Sequence, residues 1–134
     1  MNKFRNLSSR MRDRYGRPIG CGASRRVFSH KHFVVKIPIN WPGIDDNYRE
    51  AEIHRDFQRG KIKPFFVPAA CKLMVDKETG LPILIMEKVV RVSVCRLPSW
   101  VGSLSDSGPT TFQVGKNKAG VVKCFDYAME TTEP

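Results

Sequence analysis
The sequence predicts an α+β domain, an antiparallel sheet of about five strands with one main helix packed across it. Three observations point there. Short apolar, β-branched runs bounded by glycine, proline and Asn/Asp clusters outnumber the stretches with helical periodicity. Several of the joints between those runs have the composition of hairpin turns. The chain has 134 residues, 41% hydrophobic and 27% charged, which suits one globular domain.

At the N-terminus, Phe4, Leu7, Met11 and Tyr15 recur at helical spacing among arginines, and Pro18 cannot extend the segment. A basic amphipathic helix is expected over residues 3–15, docked by its apolar stripe with its basic side exposed. Next comes Gly20-Cys21-Gly22-Ala23, a tight turn whose backbone can approach a ligand closely. Val27 and Phe28 resume a strand pattern, and His30-Lys31-His32 reads as a polar turn. Phe33 to Ile37 is an apolar strand interrupted by Lys36. The prolines and glycine of residues 38–43 read as a loop, with Asp45 and Asp46 capping a helix that runs to Gln58 and stops before Gly60. On that helix Glu50, Ile53 and Phe57 share one face, so a carboxylate sits on the buried stripe. Such burial is costly unless the charge is paired, and Lys36 is the inward cation nearest to hand.

Residues 70–75 and 81–86 read as a hairpin about Asp76-Lys77-Glu78-Thr79-Gly80, followed by an apolar run over 89–94. Residues 98–103 form a loop or short helical turn. A last hairpin joins residues 112–114 to 120–125, and Asp126 follows it directly. Residues 1–16 are a basic segment, 17–128 the domain, and 130–134 a frayed end to the 129–134 tail.

The net charge is +10, and +7 of it lies in residues 1–26, where eight Lys/Arg face Asp13 alone. Such a block favours a polyanionic partner, whether nucleic acid, nucleotide phosphates or an acidic protein face. A solvated basic face without a partner accounts for it equally well. No apolar run approaches the roughly 20 residues of a membrane helix, so no membrane association is expected. The four cysteines lack metal-site spacing and fit reduced thiols in a cytoplasm.

Taken in order, the glycine turn, strand lysine, helix glutamate, Ile85-Met86-Glu87-Lys88-Val89, Leu104-Ser105-Asp106 and Phe125-Asp126-Tyr127-Ala128 resemble the protein-kinase-like fold. The resemblance covers about residues 17–128 and is to a miniature form, of the kind found in bacteriophage genomes. It implies a kinase-like N-lobe plus a short hairpin carrying the catalytic and metal loops, with the helical C-lobe missing. It further implies that Gly20, Gly22, Ala23 and Val27 cover phosphates, that Lys36 binds them, and that Glu50 partners Lys36. Met86 would stand behind the adenine pocket, with Glu87 to Val89 as the hinge whose backbone bonds adenine. Asp106 would be the catalytic Asp and Asp126 the Mg²⁺ ligand, so the implied cofactors are ATP and Mg²⁺.

Departures from the pattern count as well. Leu104-Ser105 replaces His-Arg, Thr111 stands where an asparagine is usual, and Ala128 replaces a glycine. Two functions follow as expectations: a miniature ATP-dependent phosphotransferase with slow Ser/Thr transfer or autophosphorylation, or an inactive kinase-like protein that modulates a protein partner. That partner would be a host protein or a second copy, with Leu97, Trp100 and Val101 buried against it. Nucleic acid binding through the basic N-terminus is a third reading that rests on charge alone.

Overall fold
The computed structural model describes residues 2–90, 97–104, 113–130 and 132. Helix α1 spans Lys3–Tyr15, strand β1 Gly20–Cys21, β2 Arg25–Ser29, β3 Phe33–Pro38, and helix α2 Trp41–Gln58. Strand β4 spans Cys71–Val75, β5 Pro82–Glu87, β6 Val114–Lys116 and β7 Val122–Cys124, with a 3-10 turn at Ser99–Ser103. The first five strands form one antiparallel sheet in the order β1-β2-β3-β5-β4, and β6 and β7 form a separate hairpin. The α+β architecture and the five-strand sheet are as expected. No described helix is long and apolar enough to cross a membrane.

Strand alternation divides the sheet into two working faces. Phe28, Val35 and Ile37 point to one side, where Leu7 and Met11 of α1 cover them, with Ile83 and Ile85 alongside. Val34, Leu84 and Met86 point to the other, against Ile53 of α2, Phe66 and Tyr127. The pairings Val34↔Met86, Val35↔Ile85 and Lys36↔Leu84 keep each set in register. Lys36 is therefore on the α2 face by parity. Each fully buried Leu, Ile or Phe here contributes about 1.5–3 kcal/mol over its exposed state.

Helix α1 occupies the expected residues, with Asn2 as N-cap and Gly16 at φ 85° closing it. Its basic face is less open than the sequence implies. Arg10 lies 2.6 Å from Asp76 and 2.9 Å from Glu78, across the turn between β4 and β5. The guanidinium of Arg26, on β2, bonds the Ser8 hydroxyl. Arg5, Arg12, Arg14 and Arg17 remain exposed.

Helix α2 begins earlier than expected. Asn40, and neither Asp45 nor Asp46, is the N-cap, its side chain accepting from the Gly43 amide at 3.1 Å. Pro42 sits in the first turn, where a missing N–H costs nothing. Gly43 is forced by packing: a Cβ there would stand 2.1 Å from the Ser24 carbonyl oxygen and 2.9 Å from Pro38 Cα. The helix thus presses directly on the turn between β1 and β2.

Two further expectations change. Val101 is buried by this chain itself, and Leu97 and Trp100, each partly buried, pack against the same core. Glu130 is only 5% exposed and its N–H bonds the Tyr127 carbonyl at 3.1 Å, so the chain is packed, not frayed, at that point. Of the 89–94 run, Val90 bridges Lys116 of β6, and residues 91–94 lie outside the described residues.

Candidate functional site
Between the β1–β2 turn, the inner face of β2 and β3, and the end of β7 lies a cavity of about 690 Å³. Ile19, Val27, Val34, Val89 and Val114 supply apolar walls, and Ser24, Arg25, Lys36 and Asp126 line it with polar atoms. Most ligand pockets fall between roughly 300 and 1,000 Å³ and are mainly apolar with a few placed polar groups.

The polar groups converge on Glu50, which is fully buried on α2. Its Oε1 accepts from Lys36 Nζ at 2.9 Å and from Arg25 Nη1 at 2.5 Å. Its Oε2 accepts from the amides of Tyr127 at 2.7 Å and Ala128 at 3.1 Å. Burial alone would raise the carboxyl pKa, but Lys36 and then Arg25 overcome it and hold Glu50 below its ordinary value. Lys36 Nζ also donates to the Phe125 carbonyl. No buried side-chain nitrogen or oxygen among the described residues lacks a partner. A buried ionic group with every atom satisfied is a precise positioning device, because breaking any bond leaves a charge uncompensated.

Arg25 is the residue that sequence reasoning missed. Counted there only in the basic block of residues 1–26, it is 8% exposed and turned inward. Nη1 also bonds Asn47 Oδ1 at 3.1 Å, and Nη2 reaches Asp126 Oδ1 at 3.2 Å. Burial opposes its charged form, yet the Glu50 carboxylate outweighs this and the pKa is raised. The available signal was parity. Arg25 lies two residues from Val27 on β2, and Val27 pairs with Lys36, so all three share a face. Asn47 fastens the same corner, donating to the carbonyls of Lys36 at 3.1 Å and Pro82 at 3.0 Å.

Among the residues expected from the sequence, Gly22, Ala23, Val27, Lys36, Glu87, Val89 and Asp126 line the cavity. Met86 and Glu50 stand behind its wall, and Gly20 lies in β1 paired to Val27. Neither Gly20 nor Gly22 has a positive φ, and a Cβ at either would meet nothing closer than 3.9 Å. The fold does not itself require glycine there; their lack of side chains keeps the roof thin above the cavity. In the segment expected as the hinge, the Glu87 N–H bonds the Ala70 carbonyl at 2.8 Å. The Glu87 carboxylate accepts from Lys123 at 2.7 Å and Asn117 at 3.1 Å. Ala128 needs no glycine, since no described non-glycine residue takes a positive φ. Asp106 and Thr111 lie outside the described residues.

The lining sets two cations, Arg25 and Lys36, and three acidic residues, Asp46, Glu87 and Asp126, among aliphatic walls. It does not suit Mg²⁺ in the arrangement seen. One oxygen of Asp126, Oδ1, is bonded to the Arg25 guanidinium, and that fixed positive charge repels a dication at either oxygen of the carboxylate. Comparison with protein-family models, curated proteins and solved structures finds no match to this chain.

Proposed function
We propose that this protein is a kinase-like nucleotide-binding protein that takes ATP into the cavity beneath the β1–β2 turn. The observation that carries the reading is the Lys36–Glu50 ion pair, 2.9 Å long and buried beside an apolar-walled cavity of about 690 Å³. A lysine desolvated in this way is held by its carboxylate partner, so its charge stands ready for a phosphate without a search through rotamers. Ile19, Val27, Val34 and Val114 offer a purine ring the dry surfaces that it needs.

Binding is favoured over phosphoryl transfer by one contact. Asp126, the residue whose family role is to hold the metal in transfer, is engaged by Arg25 at 3.2 Å. On this reading any phosphoryl transfer is slow.

The test is a thermal-unfolding series with ATP, GTP, tripolyphosphate and heparin, beside radiolabel incorporation from ATP. ATP should raise the melting temperature by several degrees, and tripolyphosphate, which has no ring for the apolar walls, by clearly less. An equal shift with heparin and ATP would instead assign binding to the exposed arginines of α1. Rapid incorporation of label would overturn the binding-only part of the reading.

A further inference from the structure
We propose that Arg25 is the resident cation of this cavity, holding at Asp126 the position a divalent metal would take, so that nucleotide binds here without Mg²⁺. The inference rests on the nucleotide reading above and deepens it. Arg25 is held on three sides: Asn47 Oδ1 at 3.1 Å, Glu50 Oε1 at 2.5 Å and Asp126 Oδ1 at 3.2 Å. Asn47 and Glu50 are wholly buried on α2, which makes this a fixed charge rather than a swinging one.

A metal on Asp126 Oδ1 would stand about 2.1 Å from that oxygen, well inside contact distance of the guanidinium, and one on Oδ2 of this 57% exposed carboxylate would still face the same neighbouring charge. Arginine cannot shed its proton to relieve the repulsion. It could leave only by abandoning Glu50, whose other oxygen, Oε2, is already committed to the Tyr127 and Ala128 amides.

The same geometry suits phosphate. A guanidinium carries five N–H donors. The bonds to Asn47, Glu50 and Asp126 engage Nη1 and one side of Nη2, and the side chain lines the cavity. The remaining donors and Lys36 Nζ supply the charge that a metal ion otherwise brings to a triphosphate, in the planar geometry that phosphate oxygens accept.

Calorimetric titration of ATP into the full-length protein, in EDTA and again with Mg²⁺, tests this directly. The wild type should bind in EDTA with a Kd within about threefold of its value in Mg²⁺. Arg25→Met should weaken binding in EDTA by about tenfold or more and recover part of the loss with Mg²⁺. Arg25→Lys, which keeps the charge and the partner for Glu50, guards against a folding defect and should fall between the two. Circular dichroism of each variant checks its fold. Wild-type binding that requires Mg²⁺ would overturn this proposal and leave the nucleotide reading intact. No binding in either buffer would overturn both. Unchanged affinity of Arg25→Met in EDTA would remove Arg25 from the role.

Discussion
Glu50 Oε2 on α2 and the amide nitrogen of Tyr127, the residue after Asp126, are 2.7 Å apart, although 77 residues separate them in sequence. The other oxygen of the same carboxylate holds Lys36 and Arg25. One buried side chain therefore ties the sheet, the helix and the last hairpin to a common point.

Replacing that carboxylate should be the most damaging polar change in the protein. Glu50→Ala removes the carboxylate that neutralises two buried cations and accepts from two amides, so a loss of about 3–5 kcal/mol is expected. Lys36→Met should cost less, because Arg25 still neutralises Glu50. Urea unfolding midpoints of the three proteins check the order. A Glu50→Ala loss below about 1 kcal/mol would show the carboxylate to be dispensable to the fold.

Stability should fall with acid, and the sign is the same for Asp76, Glu50 and His54, each of which is lowered in the folded state. Asp76, bonded by Arg10, is held down to about 2 from an ordinary 3.8. Its folded value lies below its unfolded one, so its contribution is present above 3.8 and is lost as the pH falls toward 2. Glu50 is lowered likewise, and burial lowers His54 from an ordinary 6.5, so a shallower decline begins below that pH. Arg10→Met should flatten the part of the decline due to Asp76. Unfolding free energy measured across the acid range should show both features; a curve unchanged by Arg10→Met would contradict the Asp76 assignment.

Much of this site is visible in the sequence, for reasons particular to each residue. Lys36 interrupts an apolar strand, and Glu50 falls on an apolar helical stripe; each is anomalous locally, and the anomalies answer each other. Arg25 is not anomalous locally, since it sits among other arginines, and only its register with Val27 and Lys36 shows that it faces inward. The start of α2 was obscured because Pro42 and Gly43 are loop formers by composition, whereas here proline occupies the first turn and glycine admits the Ser24 carbonyl. Leu97, Trp100 and Val101 were expected to meet a partner because a missing C-lobe would leave them open, whereas they pack against a core built from distant segments of this chain.

Gly43→Ala should loosen the roof of the cavity. The added Cβ would stand 2.1 Å from the Ser24 oxygen, so either α2 or the β1–β2 turn must shift. A cost of about 1–3 kcal/mol is expected, together with weaker ATP binding, because Ser24 also donates to Asp46 at 2.6 Å across the same junction. Thermal unfolding and an ATP titration of this variant check both. Wild-type behaviour in both would mean that the close approach is not essential.

The central claim is that the Lys36 end of the cavity receives phosphate while its apolar walls receive the base. Calorimetric titration of ATP and of adenosine into the wild type and Lys36→Met tests it most directly. The wild type should bind ATP at least about tenfold more tightly than adenosine, and Lys36→Met should bind the two with nearly equal affinity. Lys36→Met binding ATP as tightly as the wild type, or a wild type with no saturable ATP signal, would contradict the account.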